Sequence, residues 1–334
     1  MIRHITRSNE FVIAVSIIVL SIVMTIVNPA YFTLANLFDM FRNATVFGIL
    51  ALACLIVMIS GGVDVSFVAI ASASSYITMT FLINRGFQGS ALVAYLIALP
   101  IGVLMGCINA FFVARFGLPT FVVTLGTYSM YYGFVLFFVG SGYLYELPDG
   151  MSTYARMRIL TVKGAEVGTS SLHPSVLLLL GLAVLVWAFL KYTMIGRGIY
   201  ALGGARDVAE RTGFNIPVIQ FVMFGLAGAL ASIGGVTQVA LYRNGNPAAL
   251  MGSELDVIAA VVLGGAAITG GRGTVVGSFL GLMLIVILKS CLILAGISAE
   301  WQRFVIGVAL VIGTSIPAIR SARLRRSPGA VVAG

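Results

Sequence analysis

Long apolar stretches, separated by short polar breaks, run through nearly all of this 334-residue chain and restrict what it can fold into. Ten are discernible: Phe11–Val27, Val46–Ser60, Phe67–Ile83, Ala91–Phe112, Thr120–Gly140, Pro174–Tyr192, Ile219–Leu241, Glu254–Ile268, Thr274–Ala295 and Trp301–Ile319. Crossing a hydrocarbon core ~30 Å thick takes about 20 apolar residues in helical form. A backbone in lipid finds no water for its N–H and C=O groups, so each block must close its own hydrogen bonds as an α-helix. Only 9% of the residues are charged, against roughly 25% in a soluble domain. The expected fold is an all-α polytopic membrane protein, one helical bundle of about ten transmembrane helices. Val46–Ser60, Phe67–Ile83 and Glu254–Ile268 are short, as half-helices or re-entrant segments are. A single domain is expected, with a first span and outer segment over 10–43, a core over 44–319, a loop at 193–217 and a basic tail at 320–334.

Basic loop residues set orientation, because they are retained on the cytoplasmic side. Arg3 and Arg7 precede the first block, and Arg320, Arg323, Arg325 and Arg326 follow the last. Ten spans with both termini inside also place Arg115, Lys191, Arg197, Arg206, Arg211 and Arg272 inside, twelve basic residues in all. Six fall outside: Arg42, Arg85, Arg156, Arg158, Lys163 and Arg243. The net charge of +9 then follows from topology in a bacterial inner membrane, and no nucleic-acid partner is inferred from it. The first block follows two arginines as a signal peptide would, yet it ends in Asn28-Pro29-Ala30 without a small-x-small cleavage site. It is read as an uncleaved span. Cys54, Cys107 and Cys291 lie inside blocks and read as apolar packing residues, and His4 and His173 are too far apart to suggest a metal site.

The polar interruptions carry the chemistry. Gly61-Gly62-Val63-Asp64-Val65-Ser66 joins two blocks. It is either a simple hairpin with Asp64 capping the next helix, or a place where Asp64 and Ser66 line a polar cavity. In Pro119–Thr127, Pro119 suits a first helical turn, and Thr120, Thr124 and Thr127 stand at i, i+4 and i+7 on one face. Such a hydroxyl stripe either joins helices or bonds the hydroxyls of a solute. Gly102 with Gly106, and Gly273 with Gly277 and Gly281, repeat every four residues, the spacing of close helix packing. The loop Gly196–Phe214 includes a mixed-charge stretch, Arg206 to Arg211, that suits a short helix with Gly213 as its C-cap. Tyr200, Val208 and Phe214 give it the apolar contacts of a docking surface.

Taken together and in order, Gly61–Ser66, Pro119–Thr127, Gly196–Gly213 and Leu255–Gly265 with Gly270–Gly273 resemble the signatures of ribose/xylose-type permeases. These are membrane subunits of carbohydrate ABC importers. The resemblance spans roughly residues 40–315. It implies two permease copies or paralogues in lipid, two cytoplasmic ATP-binding subunits and a periplasmic sugar-binding protein. It also implies that Gly203, Gly204, Arg206, Asp207, Glu210 and Gly213 belong to the segment that couples to the ATPase. Asp64, Ser66, Asn109, Thr120 and Thr124 are the candidate solute path. Ala205 stands where such permeases usually carry Asn, Val208 where they carry Ala, and Phe67-Val68 where they carry a small pair.

The chain has no Gly-x-x-x-x-Gly-Lys-Ser/Thr phosphate loop, so ATP is expected to be used by the partner subunit, with no cofactor bound here and no enzymatic activity. The competing class is an ion-coupled secondary transporter of a small neutral solute, which needs an acid at membrane depth. Asp64 is its one candidate, since Glu254 and Asp256 better suit the outer N-terminus of a helix.

Overall fold

The computed structural model describes residues 9–163, 169–298, 301–302, 304–308 and 311. In chain order the elements begin with α1 (Asn9–Val27), α2 (Leu34–Ile59), α3 (Phe67–Asn84), α4 (Ala91–Phe116) and α5 (Thr120–Phe134, continued by a π-helical turn at Val135–Val139). Next come α6 (Asp149–Arg156), the strands β1 (Leu160–Lys163) and β2 (Thr169–Leu172), and α7 (Ser175–Tyr192). Then come α8 (Met194–Gly204), α9 (Arg206–Arg211), α10 (Ile216–Tyr242), α11 (Glu254–Leu263) and α12 (Val275–Leu294). The strands form one antiparallel hairpin, Leu160 opposite Leu172. Among the described residues, eight helices (α1 to α5, α7, α10 and α12) are long and apolar enough to cross a membrane.

The expected short second span is corrected. α2 starts at Leu34, capped by the Thr33 side chain, and runs 26 residues. Asn36, Asp39, Arg42 and Asn43, which break the hydropathy run, are helical and continuous with this span. α3 is also a full span. Only α11 is short, ten residues or about 15 Å of rise, half a membrane crossing. The block Trp301–Ile319 lies largely outside the described residues.

Two ends of the bundle can be told apart. At the near end, Gly271 N donates to Ile59 O at 2.8 Å, Tyr200 Oη to Gly273 O at 2.8 Å, and Thr274 Oγ1 to Glu10 Oε1 at 2.7 Å. These bonds gather the 60–66 turn, α8, the 264–273 loop and the starts of α1 and α12. At the far end, Leu144 and Gly245 exchange backbone hydrogen bonds, and Arg243 donates to Ala155 O at 3.4 Å. That end carries α6, the hairpin and the 243–253 loop.

α2 is the axis of the bundle: 83% of its apolar window is buried, against 11% for α1 at the periphery. From Ala44 to Ile59 every residue except Phe47 is buried, so this stretch touches protein all round, as an all-apolar helix in a bundle core must. α10 packs on α2, α3 and, most extensively, α4. The α4–α10 seam is set by Gly102 and Gly106, where a Cβ would overlap the carbonyls of Gly228 and Phe224. In the same way Gly277 and Gly281 admit the carbonyls of Gly264 and Ala260, seating α11 against α12. The expected third member of that ladder, Gly273, precedes the helix, and its α-carbon faces the side chains of Ile59 and Leu55. Backbone approach of this kind gives dispersion contact where lipid supplies no hydrophobic drive between helices.

Gly277→Leu should therefore part α11 from α12 and sharply lower the yield of monodisperse protein in detergent. Val276→Leu, at a 58% exposed position one residue away, should leave the yield unchanged. Equal yields of the two variants would remove the packing role.

Candidate functional site

The 60–66 turn, α4 and α5 bring the expected polar residues together. Ser66 N and Ser66 Oγ both donate to Asp64 Oδ1 at 2.7 Å. Asn109 Nδ2 of α4 donates to Ser66 Oγ at 2.7 Å, and Thr127 Oγ1 of α5 donates to Asn109 Oδ1 at 2.7 Å. Thr124 Oγ1 accepts from Val65 N and donates to Val63 O, each at 3.3 Å. None of these five side-chain donors or acceptors belongs to a residue more than 6% exposed. Thr120, half-buried at the start of α5, lies against Gly62, where a Cβ would come 2.9 Å from its methyl group. Asp64, Ser66, Asn109 and Thr124 thus satisfy one another or the nearby backbone, and together they pin the turn to α4 and α5. Burial pushes the Asp64 carboxyl up to about 6, with the Ser66 hydrogen bonds acting in the opposite direction.

The near-end loop folds as expected at its core. α9 is a single six-residue helix, and Gly213 after it has φ +89°, which supplies the left-handed C-cap. Arg206 Nε pairs with Glu210 Oε1 at 3.2 Å on a half-exposed surface, and Asp207 and Arg211 are exposed. The apolar groups divide. Val208 is 58% exposed, whereas Ala209 is buried in the chain's own core. Tyr200 and Phe214 turn inward too, Tyr200 bonding Gly273 O and Phe214 covering Gly198. Gly203 lies where a Cβ would overlap Ile59 O, while Gly204 is open. α9 therefore rides on α8, whose Gly203 and Tyr200 meet the end of α2 and the 264–273 loop, with Val208 as its outward apolar group.

A third polar cluster was not anticipated. A cleft of about 590 Å³ in the far half is lined by α2, α10, α11 and α12. Lys289 Nζ meets Asp256 Oδ2 at 2.6 Å, and Ser290 Oγ donates to Asn36 Oδ1 at 2.9 Å. Tyr242 Oη donates to Asn43 Oδ1 at 3.0 Å, and Arg42 reaches Leu241 O. Asp256 does occupy the first turn of a helix, as expected. Spacing was the available signal: Asn36, Asp39 and Asn43 stand at i, i+3 and i+7. Among the described residues, no group of three or more His, Cys, Asp or Glu side chains is placed to hold a metal ion.

A model of the family described as branched-chain amino acid transport system / permease component matches residues 36–313 of this chain. The chain is 29% identical over 303 residues to the ribose import permease protein RbsC of Escherichia coli (strain K12), covering 90% of this chain and 91% of that protein. It is 33% identical over 310 residues to the probable ABC transporter permease protein YphD of the same strain, covering 93% and 89%. It is 31% identical over 317 residues to the autoinducer 2 import system permease protein LsrC of Yersinia pseudotuberculosis serotype O:1b (strain IP 31758), covering 93% and 85%. No solved structure matches the chain.

The buried carboxyl makes a pH prediction. A carboxyl whose folded-state pKa is raised from 3.8 to about 6 contributes stability that is complete below the lower value and lost as pH rises through the upper one. Asp64→Asn keeps both acceptor bonds from Ser66 and removes the titration. In detergent it should melt at higher temperature than the native chain at pH 7.5, being more stable by on the order of 3 kcal/mol, and the two should converge near pH 4. Parallel melting curves across that range would refute the burial argument.

Proposed function

Because the chain belongs to the branched-chain amino acid transport system / permease component family, we propose that it is the membrane-spanning permease subunit of an ATP-driven importer whose cargo is a monosaccharide or similar small polyhydroxy solute. The observation that carries this reading is the match, along nine-tenths of both chains, to a protein named for ribose import. A neutral cargo also suits a bundle whose apolar blocks carry few charges. ATP is hydrolysed on separate subunits, two cytoplasmic ATP-binding domains, and a periplasmic binding protein delivers the solute to a pair of permeases, identical or paralogous. Both termini and α9 face the cytoplasm, so the near end is the ATPase side and the far end receives the binding protein. Twelve basic residues against six favour this orientation. Arg42, one of the six, now lies on α2, and its far-end position keeps the bias unchanged.

Transport proceeds by alternating access. ATP binding draws the two ATPases together and carries each α9 with them. α9 contacts α8, and α8 meets the end of α2 at Ile59 and the 264–273 loop that leads into α12. Displacement of α9 therefore reaches both the central helix and the α11–α12 pair as rigid-body motion. The mixed charges of α9 orient it in the ATPase groove, each contributing ~1 kcal/mol or less because they are solvent-exposed.

Proteoliposomes holding the chain with its ATPase and binding protein should show ATP-dependent uptake of D-ribose or a related sugar. Uptake by the chain alone, driven by an ion gradient, would instead establish the secondary-transporter class. In the same system Gly213→Val should abolish uptake and the stimulation of hydrolysis by loaded binding protein. A β-branched residue cannot comfortably hold φ near +89°, and no neighbour within 4 Å offers a steric explanation instead. Retained stimulated hydrolysis would take the coupling role away from this loop. A reporter fused after Gly334 should be active only in the cytoplasm, and one inserted at residues 164–168 only outside; the reverse pattern inverts the topology.

A further inference from the structure

Polar residues on a spanning helix are costly unless they are paired or line a wetted cavity. The stripe Asn36, Asp39 and Asn43 on α2 does both in part: Asn36 and Asn43 are paired, and all three residues line a cavity. It faces the far-half cleft, whose volume of about 590 Å³ falls within the roughly 300–1,000 Å³ of small-molecule sites. Across the cleft, α12 presents Lys289 and Ser290, and α11 presents Asp256. Several of these groups already hold partners: Asn36 with Ser290, Asn43 with Tyr242, Lys289 with Asp256. Asp39 is exposed and has no hydrogen-bond or ionic partner among the described residues.

The ligand chemistry follows from the lining. Two acids, Asp39 and Asp256, balance two bases, Arg42 and Lys289, so the cleft favours neither an anion nor a cation. Amide, hydroxyl and carboxylate groups offer donors and acceptors side by side, and a polyol needs both because each of its hydroxyls donates and accepts. Phe47, Val257, Leu282 and Ile285 supply an apolar wall for the C–H face of a ring. A second cleft, of about 310 Å³, shares Asp39, Arg42 and Tyr242 with the first and extends beneath the far-end segment to His173 and Arg243. It connects the polar stripe to the end of the bundle where the binding protein would release its cargo. The buried chain from Asp64 to Thr127 has no comparable free valence, since its members already bond one another.

We propose that this far-half cleft is the solute-binding subsite of the chain, taking a neutral polyol of monosaccharide size on the Asn36–Asp39–Asn43 stripe of α2 and Ser290 of α12. The proposal rests on the importer reading, and it moves the solute contacts from the 60–66 turn to α2 and α12.

The test uses the complete transporter in proteoliposomes, with radiolabelled D-ribose as the probe. Asp39→Asn preserves side-chain shape and removes a charged acceptor, so uptake should fall about tenfold, the effect of one charge-assisted hydrogen bond. Val276→Ala, on the exposed side of α12, is the control and should transport normally. The deciding arm places Asn43→Cys in a background with Cys54, Cys107 and Cys291 replaced by Ala. A membrane-impermeant thiol reagent should label this cysteine, and saturating D-ribose should slow the labelling. Labelling indifferent to D-ribose, in a complex that transports it, overturns the subsite whatever Asp39→Asn does. If Asp39→Asn fails to assemble, protection of Asn43→Cys alone decides the matter. A native complex that moves neither D-ribose nor any of a panel of pentoses and hexoses would fell the importer reading and the subsite together.

Discussion

Lipid offers a peptide group no hydrogen-bond partner, so a helix that ends within the bundle must be closed by other parts of the protein. The end of α2 meets this demand mainly with backbone, the Ser60 hydroxyl adding a bond to Val57 O at 2.7 Å. Ile59 O accepts from Gly271 N, and Gly203 of α8 passes so close to the same carbonyl that no side chain fits between them. Gly61 and Gly270 fill the remaining space with backbone. Three segments far apart in sequence therefore converge on one helix terminus. Because the contact is backbone on backbone, it has little slack: α8, the 60–66 turn and the 264–273 loop hold their relative positions or shift as a unit. The glycine seams along α4–α10 and α11–α12 extend the same stiffness through the membrane.

Much of this was legible in the sequence. The apolar blocks located α1, α3, α4, α5, α7, α10 and α12 to within a few residues at most ends, because a bilayer imposes both length and composition. Four-residue glycine spacing marked the seams, since it reflects helix geometry directly. The first twelve residues of α2 were not legible as a span. Hydropathy averages over all faces of a helix, and one polar face carrying Asn36, Asp39 and Asn43 is enough to hide it. Periodicity would have found it where hydropathy did not. Likewise the mixed composition of Arg206–Arg211 announced a loop helix, but not that Ala209 points inward while Val208 faces out. That distinction depends on how α9 sits against α8, which no local pattern encodes.

Partner identity was equally beyond the sequence. Asp64, Ser66, Asn109, Thr120 and Thr124 read as ligands because hydroxyl, amide and carboxylate are the groups a sugar needs. The same groups are what a protein needs to anchor a turn inside an apolar bundle, and only tertiary placement says which use is made of them. Here the distances settle their immediate partners: successive 2.7 Å bonds run from Asp64 through Ser66 and Asn109 to Thr127. Each member is protected from an unsatisfied burial that would cost ~1–3 kcal/mol.

The two polar clusters differ in depth and in freedom, and the difference has a physical basis. Near the ATPase-facing end proposed here, polar groups are buried and mutually saturated, so they resist exchange with a passing solute and hold the turn that meets α8. In the far half, Asp256 and Lys289 are paired yet remain partly exposed, with side chains 23% and 30% accessible. A pair in that setting loses part of its attraction to screening. The saturated turn and the partly open cleft are thereby separate regions joined by α2. Its half from Ala44 to Ile59 is packed in the core, and its polar first turns face the cleft.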